Sequence, residues 1–200
     1  MLSQLLRTIP AFLVAASLFA IPYAYSVQRN KLTHNFRVVE EGKLYRSGQL
    51  SREGLDRVVH DYGIKTVVSF RDAEVGKSSV PPDLWEEAFC ATKGINHVRL
   101  PLRYWSINEQ GIVPADENVK KFLGVLADPK NQPVLVHCFR GAHRTGMYCA
   151  IYRMEHQAWS NEDAIQEIQD LGYDNFENET DVRGYLERYV PSSKKSAIPK

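Results

Sequence analysis

Cysteine is scarce in this chain, with three residues in 200: Cys90, Cys138 and Cys149. No two of them form a short C-x-x-C pair, so the usual zinc-site spacing is excluded and no metal is expected. The odd count does not suit a disulfide framework either. Cys90 and Cys149 read as small buried hydrophobes. A large charge of one sign is also missing, the net being +1 at pH 7, and a general nucleic-acid binder is therefore not expected. No internal repeat is visible. A more local absence points the other way. From Pro129 through Met154 there is no Asp or Glu, while Lys130, Arg140, Arg144 and Arg153 are present. An anionic ligand would be drawn to that stretch.

Within it, Pro133-Val134-Leu135-Val136-His137 reads as a short buried strand that ends at Cys138. A short loop follows, then Arg144-Thr145-Gly146 and a segment of helical character. Such a loop turns backbone N–H groups toward one spot, and the helix dipole adds partial positive charge there. Phe139, Arg140, Gly141, Ala142 and His143 would supply those amides around a phosphate dianion. Arg144 can add a bidentate fork onto two phosphate oxygens. Cys138 lies in the same positive field and is expected as the thiolate, an in-line nucleophile for phosphorus. Thr145 is expected to hydrogen-bond that thiolate. His137 is expected to orient the loop through its ring nitrogens. Arg140 and His143 add positive charge to the rim, with a solvated surface position the alternative for Arg140. A lone cysteine before a basic turn would be only a structural cysteine. His137, Gly141, Arg144, Thr145 and Gly146 together weigh against that reading.

Strand-like and helix-like stretches alternate along the rest of the chain. They imply an α/β fold with a mainly parallel central sheet flanked by helices, and place the reactive loop at the carboxyl end of a central strand. Strands are expected within 38–46, 64–70, 95–100 and 134–137. Helices are expected after caps at Ser51, Asp83 and Ser160, from Ala115 or Asp116, over 144–156 and over 181–189. The loop at 101–114 is long enough to expect a functional role. Residues 8–28 carry no charge, and as a helix they would reach about 31 Å, enough for a bilayer core. They read as a single-pass N-terminal anchor, or as a secretory signal with Ala24-Tyr25-Ser26 as a cleavage site. Arg7 precedes the run, and Arg29, Lys31 and Arg37 follow it, which leans toward a cytoplasmic domain without settling the side. The expected organisation is an anchor or signal and linker over 1–34, a catalytic domain over 35–190, and a disordered basic tail over 191–200.

The motif His137-Cys138-x5-Arg144-Thr145-Gly146 resembles the signature of the cysteine-dependent protein tyrosine and dual-specificity phosphatase superfamily. Leu44-Tyr45-Arg46-Ser47-Gly48-Gln49 and Lys65-Thr66-Val67-Val68-Ser69-Phe70-Arg71 are similar to the small atypical members, and the likeness runs from Asn35 to Tyr185. The resemblance implies a protein tyrosine phosphatase-like fold and phosphomonoester hydrolysis through a cysteinyl-phosphate intermediate, without a cofactor. The implied partner is a phosphorylated protein. A phosphorylated small molecule or lipid, such as an inositol phosphate or phosphoinositide, is the alternative. So is a catalytically silent phosphate-binding module at a membrane. Tyr104, Trp105 and Phe139 could wall a phosphotyrosine pocket. The family also supplies an Asp as general acid from a loop before the cysteine, and here the chain departs from it, because Ser106-Ile107-Asn108 holds no carboxylate. Asp116, held by Pro114, is expected to donate the proton, with Glu109 the other candidate and helix capping the other role for Asp116.

Overall fold

The computed structural model describes residues 16–27, 32–72 and 80–195. Two β-rich runs, Thr66–Ser69 and Val134–His137, are buried along their whole length, as strands covered on both faces by helices must be. They become β3 and β5 of a five-stranded sheet, with β1 at Arg37–Glu40, β2 at Leu44–Ser47 and β4 at Asn96–Arg99. The order is β1-β2-β5-β3-β4. Only the β1–β2 hairpin is antiparallel; β2, β5, β3 and β4 run parallel. His137 lies in register with Ser47 on one side and Ser69 on the other. The carboxyl ends of β2 and β3 therefore flank whatever follows β5.

Among the described residues, six helices complete the layers: α1 (Arg52–Tyr62), α2 (Leu84–Lys93), α3 (Ala115–Ala127), α4 (His143–His156), α5 (Asn161–Asp170) and α6 (Thr180–Glu187). Their ends follow local chemistry. The Ser51 side chain accepts from Gly54 N at 3.1 Å, and Gly63 closes α1 in the left-handed conformation at φ 63°. Ser160 caps α5 by accepting from Asp163 N at 3.0 Å. Because side chains alternate along a strand, β5 feeds two cores. Val134, Val136 and Cys138 join the side chains of α3 to α6, and Leu135 joins those of α1 and α2. His137 consequently turns toward α2, and Cys138 toward the α4 side. Phe122, Ile151 and Phe176 are fully buried there, each contributing about 1.5–3 kcal/mol of apolar burial.

One local expectation is corrected. The Asp83 side chain makes no capping bond to α2; it is fully buried and takes donors from Ser69 Oγ and Arg99 instead, since a buried carboxylate needs charged or hydroxyl partners more than a helix end needs a cap. In the tail, Ser192–Lys195 forms a helical turn, with Ser192 N donating to Glu155 at 3.1 Å. Residues 16–27 are helical, with Leu18, Phe19 and Ile21 exposed. The remainder of the run 8–28 lies outside the described residues, and among those described no helix is long and apolar enough to cross a membrane.

Candidate active site

The loop from Cys138 to the start of α4 closes back on its own sulfur. Gly141 N donates to Cys138 Sγ at 3.2 Å, so one amide of the cradle already points at the sulfur. Two features require glycine at 141. Its φ is +76°, and a Cβ there would stand 2.4 Å from Gly48 N and 2.5 Å from the Ser47 carbonyl carbon. Backbone meeting backbone cannot give way. The outer side of the loop is fastened by four bonds. Arg46 Nη2, buried at the end of β2, donates to the Gly141 carbonyl at 2.8 Å. Asn35 Nδ2 donates to the Arg140 carbonyl at 2.7 Å, and Gln49 N donates to the Phe139 carbonyl at 3.0 Å. On the β3 side, Arg144 Nη1 donates to the Phe70 carbonyl at 2.7 Å. With three loop carbonyls tied outward, the Gly141 amide is left facing the sulfur.

Cys138 is 4% exposed and forms the floor of a cavity of about 270 Å³. Arg71, Asp72, Phe139, Arg140, His143 and Arg144 line the rest of it. The structure thus brings Cys138, Phe139, Arg140, His143 and Arg144 together as the sequence suggested. It adds Arg71 and Asp72 from the residues just after β3. The Arg71 guanidinium lies over the Phe139 ring at 4.9 Å. Asp72 Oδ2 accepts from Leu102 N at 3.3 Å. Ala142 is buried as the residue that opens α4. Thr145 does not hold the sulfur: its Oγ1 is buried without a hydrogen-bond partner.

The expected proton donors lie elsewhere. Asp116 is exposed on the first turn of α3 and accepts from Tyr185 Oη at 2.7 Å, joining α3 to α6. Burial and that carboxylate raise the Tyr185 pKa, which keeps the phenol a donor. Glu109 belongs to an exposed turn closed by Gly111 N donating to the Asn108 carbonyl at 2.9 Å. Neither residue lines the Cys138 cavity. Tyr104 and Trp105 line a neighbouring cavity of about 340 Å³ that shares His143 and Arg144, and Trp105 is itself buried against Tyr148 and Tyr185. Phe139 is therefore the aromatic side chain in the lining of the Cys138 cavity.

Beneath the loop lies a buried ionic cluster. Glu86 Oε1, in α2, faces His137 Nε2 at 2.7 Å and His97 Nε2 at 3.1 Å. Burial works to raise the Glu86 pKa, but the charge and hydrogen bond of His137, and then those of His97, bring it down to about 2. Asp83, Glu86 and His97 place potential metal-ligand atoms within 4.8 Å of one another. Each is already taken up, Asp83 by Ser69 and Arg99 and Glu86 by the two histidines, so the trio is an ion-pair network and not a metal site.

Comparison with known proteins agrees with this geometry. Residues 17–184 match the model of the family described as "DSP-PTPase phosphatase fused to NAD+ kinase". Similar curated proteins include the dual specificity protein phosphatase TpbA of Pseudomonas aeruginosa, 25% identical over 143 residues that make up 72% of this chain and 57% of that protein. Another is the inositol diphosphatase DSP2 of Oryza sativa subsp. japonica, 41% identical over 54 residues, 27% of this chain and 26% of its own. The alignments thus span 57% or less of these relatives' length. Among solved structures, the core catalytic domain of the S. cerevisiae PP-IP phosphatase SIW14 superposes with a TM-score of 0.62 at 22% identity, covering 82% of this chain and 91% of that one. At that identity the likeness is one of fold, and the fold is the protein tyrosine phosphatase type.

Proposed function

The chain belongs to the DSP-PTPase phosphatase family, and on that premise we propose that residues 35–190 form a phosphomonoester hydrolase with Cys138 as its nucleophile. The observation that carries this reading is the closed loop: Gly141 N on Cys138 Sγ, Arg144 held against Phe70, and both at the floor of an arginine-lined cavity. In the first step the S–P bond forms and the bond from phosphorus to the leaving oxygen breaks. Loop amides and Arg144 hold the three equatorial oxygens as charge shifts among them. Asp72, the carboxylate in the cavity lining, gives its proton to the leaving oxygen. In the second step water attacks phosphorus and gives a proton to the Asp72 carboxylate. The S–P bond then breaks, inorganic phosphate leaves and the thiolate is restored.

A phosphorylated protein side chain fits this chemistry. A second substrate reading, an alcohol carrying more than one phosphate or a diphosphate, rests on a specific observation. Arg71 and Arg140 line the cavity in addition to Arg144, more cationic side chains than one phosphate occupies. The aromatic wall that a phosphotyrosine ring favours is reduced to Phe139, and Arg71 covers that ring. The inositol diphosphatase among the relatives is consistent with the same reading.

The test is phosphate release, without added metal, from p-nitrophenyl phosphate, phosphotyrosyl peptides, inositol phosphates and inositol diphosphates. Cys138→Ser is expected to abolish turnover while the backbone cradle still binds vanadate. Acid quenching of the wild type should trap phosphate on Cys138. Turnover retained in Cys138→Ser would overturn the mechanism.

A further inference from the structure

The chemistry of the loop leaves one buried group beneath it without a role. Glu86 is 1% exposed in the interior of α2, and a lone carboxylate in such a place is costly unless it is paired. Its Oε1 faces His137 Nε2 at 2.7 Å. The other ring nitrogen of His137, Nδ1, stands 3.4 Å from the carbonyl oxygen of Cys138. A neutral imidazole has one N–H and can satisfy one acceptor. Here both ring nitrogens meet acceptors, the Glu86 carboxylate and the Cys138 carbonyl, an arrangement that the doubly protonated ring satisfies in full. His97 Nε2 donates to the same Glu86 oxygen from β4 at 3.1 Å.

We infer that Glu86 is a positioning residue for the nucleophile: it holds His137 as a buried imidazolium whose second N–H is fixed on the carbonyl of Cys138. This rests on the reading of Cys138 as the nucleophile. Two consequences follow for that residue. The bond from Nδ1 sets the orientation of the peptide unit that leaves Cys138, the first of the cradle. The imidazolium also places a positive charge one residue from the sulfur, in a dry interior where charge is poorly screened.

The groups around His137 support its protonation. From α2 and its start come the carboxylates of Glu86 and Asp83. From β4 come His97 and Arg99, the latter paired with Asp83. From β3 comes the Ser69 hydroxyl, also bonded to Asp83. Two buried carboxylates thus face one arginine, and a proton on His137 restores the balance. Burial opposes the charge, but the attraction and hydrogen bond of Glu86 outweigh it and the His137 pKa is raised.

The experiment is Glu86→Gln in the full chain, read in three ways. In the wild type, 15N NMR of the histidine side chains at pH 7 should show His137 with both nitrogens protonated, and in Glu86→Gln it should show a neutral ring. The acid limb of kcat/KM for p-nitrophenyl phosphate should move to higher pH in the variant, as should the pH dependence of Cys138 alkylation by iodoacetamide followed by peptide mass. A move of about one pH unit corresponds to a roughly tenfold loss of rate on the acid side. His97→Gln, which leaves the Glu86–His137 pair in place, should show neither change. If Glu86→Gln does not fold, His137→Gln supplies the same comparison, since it removes the charge and keeps a donor. A neutral His137 in the wild type, or an unmoved acid limb in a folded Glu86→Gln, would overturn the inference. The NMR readout needs no turnover, so its outcome stands apart from any failure of Cys138→Ser to abolish activity.

Discussion

At the scale of the residue, Asp116, the donor expected from the sequence, does not line the Cys138 cavity, and Asp72, which drew no expectation, does. Asp116 spends its carboxylate on Tyr185, between two helices. Asp72 lies in the cavity that the leaving group must cross, with one oxygen held by Leu102 N. Asp72→Asn should therefore slow hydrolysis of alkyl phosphates, which leave poorly, by about 10²–10⁴-fold. Substrates with an acidic leaving group such as p-nitrophenol should be affected far less, and the alkaline limb of the pH–rate profile should disappear. A leaving-group series measured on both proteins checks this. Equal losses across the series would mean that Asp72 only shapes the cavity. Asp116→Asn, by contrast, is expected to change stability and not the leaving-group dependence.

At the scale of the element, the loop works because three strands end beside it. Ser47 at the end of β2 and Gly48 after it press on Gly141, Phe70 after β3 takes Arg144, and β5 delivers Cys138. Gly141→Ala would drive a methyl group into the Gly48 amide at 2.4 Å and strain a φ of +76°. The loop must then open, withdrawing the Gly141 amide from Sγ. Turnover should fall by about 10²-fold or more, as when one donor of an oxyanion site is removed, and vanadate affinity should fall with it. Far-UV circular dichroism should stay the same, because α4 and β5 lie outside the clash. Retained vanadate binding would show that the amide does not contribute.

The same scale explains what could be read from sequence. The gathering of Cys138, Phe139, Arg140, His143 and Arg144 around one cavity was legible because they belong to one contiguous stretch, whereas the bond expected of Thr145 is not made. Also legible were the sheet class and the caps at Ser51 and Ser160, which depend on nearest neighbours. Arg71 and Asp72 were not, because only the β3–β5 pairing brings them to Cys138. The available signal was their place just past the end of a buried strand, where ligands collect in such sheets. Glu86 drew no expectation from the sequence. Yet it stands three and four residues before the buried Phe89 and Cys90, and that spacing already put it on the inner face of α2.

At the scale of the whole molecule, the Glu86 cluster joins the α2 layer to β4 and β5, so its ionisation bears on global stability. The signs differ for its two ends. Glu86 is lowered from 4.5 to about 2, so its contribution is complete above about pH 4.5 and is lost as pH falls toward 2. His137 is raised above 6.5, so its contribution is complete below about pH 6.5 and is lost as pH rises through the folded-state value. The pair therefore contributes most between about pH 4.5 and 6.5. The acid-side loss is on the order of a few kcal/mol, within the total stability of an ordinary domain. Urea unfolding of wild type and Glu86→Gln across pH 3 to 9 measures the difference directly. It should be largest inside that window and shrink on both sides. A difference that stays level through the alkaline side would mean that His137 carries no proton in the folded state. The cluster would then stabilise the sheet by hydrogen bonding alone.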